Sequence, residues 1–296
     1  MILLCAKSSV KAPKENGERL KTIREIPADF AAADDLLWQA ASGRLPQLGR
    51  LHIGLSGRIG PLVEMAMARW AAPEAYAAVS FEPSLVRMAE RALGDGAIGG
   101  SKAGDVAGVF PLRRHDPAAP DHVHWDQWAK HAENTAISAG FPRPLVEGLL
   151  GALVELQDNV YEHSGRPETG LIAYGVSHAA FEFVVADAGI GVLASLRQNP
   201  EFSGLTDSGA ALRAAASDGA SRLGRGSGHG YGIGQLFRAL AHNEGELRFR
   251  SGDHALTLWG DSPSLTGQIE IAQKAWLPGL TISVRCRAPR RRGESG

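Results

Sequence analysis

The chain has 296 residues, 44% hydrophobic and 21% charged, with 31 Lys and Arg against 32 Asp and Glu for a net charge of −1. That balance excludes wholesale disorder and leaves no strong field to draw the chain onto nucleic acid or an anionic membrane. Two cysteines, Cys5 and Cys286, stand near opposite ends, which excludes a disulfide framework and a cysteine-built zinc site and fits a reducing cytoplasm. The apolar opening ends at Lys7, too short for a signal peptide, and no apolar run reaches the length of about 18 residues expected of a membrane span. At roughly 150 residues per domain, two domains are expected.

In chain order, residues 51–55 read as a strand ending in Ser56-Gly57, and Leu62, Met65, Ala66 and Trp70 as a helix. A second strand is expected over 76–81, followed by helical spacing at Leu85, Met88, Ala89 and Leu93. This alternation predicts a small α/β domain over 1–110. Pro111, Pro117 and Pro120, set among mixed charges, predict a linker over 111–124. A second α/β domain is expected over 125–288, with a flexible basic tail over 289–296.

Within the second domain, Leu145, Leu149, Leu153, Leu156 and Val160 mark one stripe of a helix that should stop near Ser164-Gly165. Residues 171–176 and 180–186 read as a hairpin, and a Ser-, Gly- and Ala-rich loop runs to about Gly226. A helix with Leu236, Phe237 and Leu240 is expected next, then strands at 247–249 and 280–284.

Three groups of residues carry chemistry. Glu155, Asn159 and His163 recur every fourth position, within about 80° of one another on one helix face. An amide oxygen is a hard ligand for Mg²⁺ and a carboxylate can take a proton, although the same face can be merely solvated. Asp187, Gly189 and Gly191 follow the second hairpin strand. There a carboxylate can accept from an exocyclic amine such as that of adenine, or simply cap a turn. Gly228, Gly230 and Gly232 open a helix, as an anion site for phosphates or as a plain glycine-rich lid. No G-x-G-x-x-G spacing and no Gly-Lys pair occur, so Rossmann and P-loop readings are poor.

In this order, E-x-x-x-N on a helix, D-x-G-x-G after a hairpin strand and G-x-G-x-G before a helix, the sequence resembles the GHKL ATPase superfamily over about residues 125–287. The resemblance implies an α/β sandwich, a mixed sheet covered on one face by helices, binding ATP and Mg²⁺. It makes Asn159 the Mg²⁺ ligand, Glu155 the general base and His163 the end of the N box. It sets Asp187, Gly189 and Gly191 against adenine and Gly228, Gly230 and Gly232 against the phosphates. The lid would lie between Gly191 and Gly228, with Arg222 and Arg225 as phosphate contacts or solvated charges, and Thr281 would be a distant nucleotide contact.

Residues 123–144 have room for only one helix, so the dimerising hairpin of histidine kinases is not expected, and His131 reads as a surface histidine. The N-terminal part is weakly similar to STAS domains, which partner GHKL serine kinases. That likeness makes Ser56 a phosphoacceptor or a helix cap, with Gly54-Leu55 replacing the usual preceding acidic residue. The expectation is a cytoplasmic ATP-binding regulatory protein that phosphorylates Ser or Thr on a STAS-like or sigma-factor-like partner. A nucleotide-dependent interaction switch without catalysis, or a slow ATPase coupled to homodimerisation, are the alternatives.

Overall fold

A computed structural model describes residues 24–48, 50–53, 58–81, 84–100, 104–116, 122–177, 180–216, 245–259 and 269–287. Strands β1 (Arg24–Ile26), β2 (Leu51–Ile53) and β3 (Val79–Phe81) form a parallel sheet in that order. Helices α1 (Phe30–Ala41), α2 (Gly60–Ala71) and α3 (Ser84–Gly94) follow the three strands in turn. The Asp29 side chain starts α1 by accepting from Ala32 N–H at 2.8 Å. Strand alternation buries Ile26, Leu51, Ile53 and Val79 and leaves Glu25 and Ser80 exposed.

Every residue of α2 from Gly60 to Ala68 is buried. A helix apolar all round must be covered on all sides, and α2 is: its core includes both the small sheet and a second, larger one. That sheet comprises β4 (Ala107–Pro111), β5 (Leu171–Val176), β6 (Ala180–Asp187), β7 (Glu246–Trp259) and β8 (Ile269–Arg287), in the order β4-β5-β6-β8-β7. Each of its pairings is antiparallel.

Period-two alternation divides the two cores. Phe181, Phe183 and Val185 of β6 point to helices α4 (Val123–Ser138) and α5 (Arg143–His163). Val184 and Ala186, with Leu171 and Ala173 of β5, point to the N-terminal helices. The expected α/β sandwich is therefore present, with its helices α4 and α5 on one face. The structure adds that the opposite face is covered too, and that the sheet is antiparallel throughout.

Charge fixes the second interface as well. Arg248 Nε donates to Glu64 Oε1 at 2.7 Å, and Arg250 Nη1 donates to Asp34 Oδ1 at 2.8 Å. Lys274 Nζ lies 2.8 Å from Asp34 Oδ2. Glu182 is fully buried in β6 and accepts from Ile59 and Gly60 N–H at 3.0 and 2.9 Å and from Ser283 Oγ at 3.0 Å. A strand carboxylate thus satisfies orphan amides at the N-terminus of α2, while burial pushes its own proton affinity up. A Cβ on Gly60 would collide with Ser283 Oγ and stand 2.7 Å from Phe30 Cζ and 2.8 Å from Glu182 Oε1, so only glycine allows this approach.

Three expectations need correction. The domain boundary at 110/111 cuts through β4, which pairs with β5 in the large sheet; five residues including Gly108 and Pro111 give too short a pattern to read as a strand. Residues 111–116 are no free linker, because Leu112 is fully buried and the Tyr161 hydroxyl lies 2.9 Å from the carbonyls of both Leu112 and His115. His131 is half-buried, with Nδ1 2.6 Å from the Tyr174 hydroxyl, rather than a surface residue. Among the described residues no helix is long and apolar enough to cross a membrane.

Candidate functional site

Helix α5 supplies one wall of the candidate site. Leu149, Leu153, Leu156 and Val160 are buried against the sheet, as the periodicity requires. Glu155, Asn159 and His163 are half-buried, on the border between that buried stripe and the outer face. The helix ends at His163, and Gly165 takes φ +69°, the left-handed conformation that terminates helices.

Strand β6 ends at Asp187, which is 2% exposed. The turn after it is held from three directions. Ala188 N–H donates to Thr169 Oγ1 at 3.0 Å, Ile190 N–H to the Ser164 carbonyl at 2.8 Å, and Val192 N–H to Ser251 Oγ at 3.0 Å. Gly189 N–H donates to Asp187 Oδ1 at 2.7 Å. With these four amides engaged, the turn is no anion nest; what it offers chemically is a carboxylate.

The glycines here are steric necessities. A Cβ on Gly189 would strike the Ser164 carbonyl, and one on Gly191, at φ +75°, would come 2.8 Å from Ser251 Oγ. Gly279 of β8, at φ +68°, leans on the same site: its Cβ would strike the Asp187 carbonyl and stand 2.7 Å from Asp187 Oδ1. Burial pushes the Asp187 carboxyl up to about 6, against the opposing N–H bonds from Gly189 and Leu280. No charged side chain among the described residues contributes to that shift.

The Ile190–Ser164 bond docks the Asp187 turn onto the C-terminal end of α5. At 1.5 Å rise per residue, Asn159 lies about 7 Å and Glu155 about 13 Å back along the axis from Ser164. The structure thus brings Asp187, Gly189 and Gly191 together with the helix carrying His163, Asn159 and Glu155. An amide oxygen and a carboxylate stand in series beyond a buried hydrogen-bond acceptor. Gln157, on the opposite side of α5 from Glu155 and Asn159, is buried with Oε1 unpartnered among the described residues.

Thr281 is not brought into this group. It pairs with Ala186 and Arg250, which face the N-terminal helices, whereas its neighbour Leu280 is the residue opposite Asp187. Its hydroxyl is buried and unpartnered among the described residues, on the other face of the sheet. Gly228, Gly230 and Gly232, together with Arg222, Arg225 and Ser56, lie outside the described residues. No group of three or more His, Cys, Asp or Glu suited to a metal occurs among the described residues. A cation here would take Asn159 as its protein ligand, with water and ligand oxygens completing its shell, as suits Mg²⁺.

Sequence reasoning missed the residues that hold the turn, Thr169, Ser164 and Ser251. Ser164 and Thr169 both follow the end of α5, but Ser251 comes from β7, and no sequence spacing connects it to them. Comparison of the chain with protein-family models, curated proteins and solved structures finds no match in any of the three.

Proposed function

We propose that the chain is a GHKL-type, ATP-binding regulatory protein of the cytoplasm that phosphorylates Ser or Thr on a partner protein. The observation that carries the reading is the docking of the Asp187 turn onto the end of α5. It joins the turn after the buried Asp187 to the end of the helix whose half-buried border carries Asn159 and Glu155, which supports the reading. Asp187 accepts from the exocyclic amine of adenine, and its burial makes that hydrogen bond both strong and selective. Gly189 and Gly191 let the turn pack closely against Ser164 and Ser251 and so fix where the Asp187 carboxylate stands.

Mg²⁺ carried in with the nucleotide would offset phosphate charge. Asn159 would hold that ion through its amide oxygen. Glu155 accepts the proton of the partner hydroxyl as its oxygen bonds to the γ-phosphorus and the β–γ bridging bond breaks, releasing ADP. The residues Gly228, Gly230 and Gly232 take the phosphates in this reading. The weak STAS likeness of the N-terminal part supports a partner of the STAS or sigma-factor class.

The test is transfer of labelled γ-phosphate to candidate partner proteins by wild type and Glu155→Gln. Transfer lost in the variant with ATP affinity retained supports the reading. Equal transfer by both removes Glu155 as the base, and tight ATP binding without any transfer or hydrolysis makes the protein a nucleotide switch.

A further inference from the structure

Ser251 sits where the β7–β8 ladder shifts register, between the pairs Ser251–Leu280 and Gly252–Leu277. Bulges of this kind re-aim side chains beside functional sites. Ser251 is 3% exposed, and its single hydroxyl is used twice. It accepts from Val192 N–H at 3.0 Å and donates to the Gly279 carbonyl at 2.7 Å. The peptide that begins with that carbonyl ends in Leu280 N–H, which bonds the Asp187 carboxylate.

Four groups therefore form one directed chain: Val192 N–H, the Ser251 hydroxyl, the 279–280 peptide and the Asp187 carboxylate. Every donor points toward the carboxylate, so each bond polarises the next and favours the ionised form. We propose that Ser251 is a positioning residue for the candidate adenine site, holding the 279–280 peptide so that Leu280 N–H orients the Asp187 carboxylate toward the base. The proposal rests on the ATP reading for its ligand, but not for its geometry. Thr169 provides the contrast. Its hydroxyl accepts from Ala188 N–H at 3.0 Å and donates to the Arg166 carbonyl at 2.8 Å, so it braces the same turn without joining the chain to Asp187.

Two measurements on the full chain test this. The first is nucleotide-free: ¹³C NMR titration of the Asp187 carboxyl in wild type, Ser251→Ala, Ser251→Thr and Thr169→Ala. Removing a bond that favours the ionised form must raise the midpoint. The expected result is a higher Asp187 midpoint in Ser251→Ala, return toward wild type in Ser251→Thr, and an unmoved midpoint in Thr169→Ala despite a loss of thermal stability. A midpoint unchanged in Ser251→Ala, or moved equally by Thr169→Ala, would overturn the proposal, since a merely structural brace would do no more.

The second is calorimetric titration with ATP and GTP at pH 7. Ser251→Ala should weaken ATP binding about five- to tenfold and narrow the preference for ATP over GTP. Wild type that binds neither nucleotide would remove the ATP reading, whereas the carboxyl titration decides the role of Ser251 on its own. ATP affinity and selectivity unchanged in Ser251→Ala would count against it.

Discussion

Replacing Asp187 by Asn should stabilise the protein at neutral pH while abolishing the preference for adenine proposed for this site. Burial lifts the carboxyl from an ordinary 3.8 to about 6, and two backbone N–H bonds do not cancel that effect. Each pH unit between the two values corresponds to about 1.4 kcal/mol, so the ionised group burdens the folded state by up to about 3 kcal/mol. The sign follows from proton binding. Between pH 4 and 6 the folded state holds a proton that the unfolded chain has released, so this contribution is complete below about pH 4 and lost above about pH 6. An amide of the same shape has no such charge.

Thermal unfolding of wild type and Asp187→Asn at pH 4, 6 and 8 reads the effect directly. The variant should melt several degrees higher at pH 8, at about 2–4 °C per kcal/mol for a chain of this size. The gap should close toward pH 4. A variant less stable than wild type at pH 8, or a gap that ignores pH, would show that Asp187 is not a strained buried carboxylate. Stability and binding moving in opposite directions is the mark of a residue kept for function.

Two further predictions concern the second face of the sheet. Glu64→Gln leaves the buried guanidiniums of Arg248 and Arg250 with Asp34 as their remaining carboxylate; urea denaturation should register a loss of about 3–5 kcal/mol, and a loss below about 1 would mean the network is not structural. Gly60→Ala drives a methyl into Ser283 Oγ, Phe30 and Glu182, and should cost about 1–3 kcal/mol; a neutral result would show that the N-terminal helices ride loosely on the sheet.

Much of this architecture is legible in the sequence where periodicity is long and uninterrupted. The stripe Leu149, Leu153, Leu156 and Val160 fixes α5, and Gly165 marks its end with a positive φ. The hairpin of β5 and β6 is equally plain because nearly every residue is buried. The β7 and β8 strands extend well beyond their short apolar runs, since their outer halves carry Asp253, His254, Gln273 and Lys274 among the apolar positions. β1 and β4 are too short to impose a pattern.

The placement of Thr281 is legible in the sequence. Leu280, Ile282 and Val284 form one apolar face, so period two assigns Thr281 and Ser283 to the other. The buried network had a signal as well: Arg248 and Arg250 alternate with Leu247 and Phe249 in β7, and Glu64 interrupts an otherwise apolar helix. Charges at core positions require partners, though which partners only the tertiary arrangement decides. The Thr169 and Ser251 bonds leave no trace in sequence, because a buried hydroxyl serves equally well in many unrelated turns.

Calorimetric titration of the full chain with ATP, with and without Mg²⁺, is the sharpest test of the proposal that Asp187, Asn159 and Glu155 line one nucleotide site. Wild type should bind in a Mg²⁺-dependent way, with binding weakened by Asn159→Ala and stripped of its preference for adenine by Asp187→Asn. Binding unaffected by either substitution, or none at all to the folded protein, would contradict it.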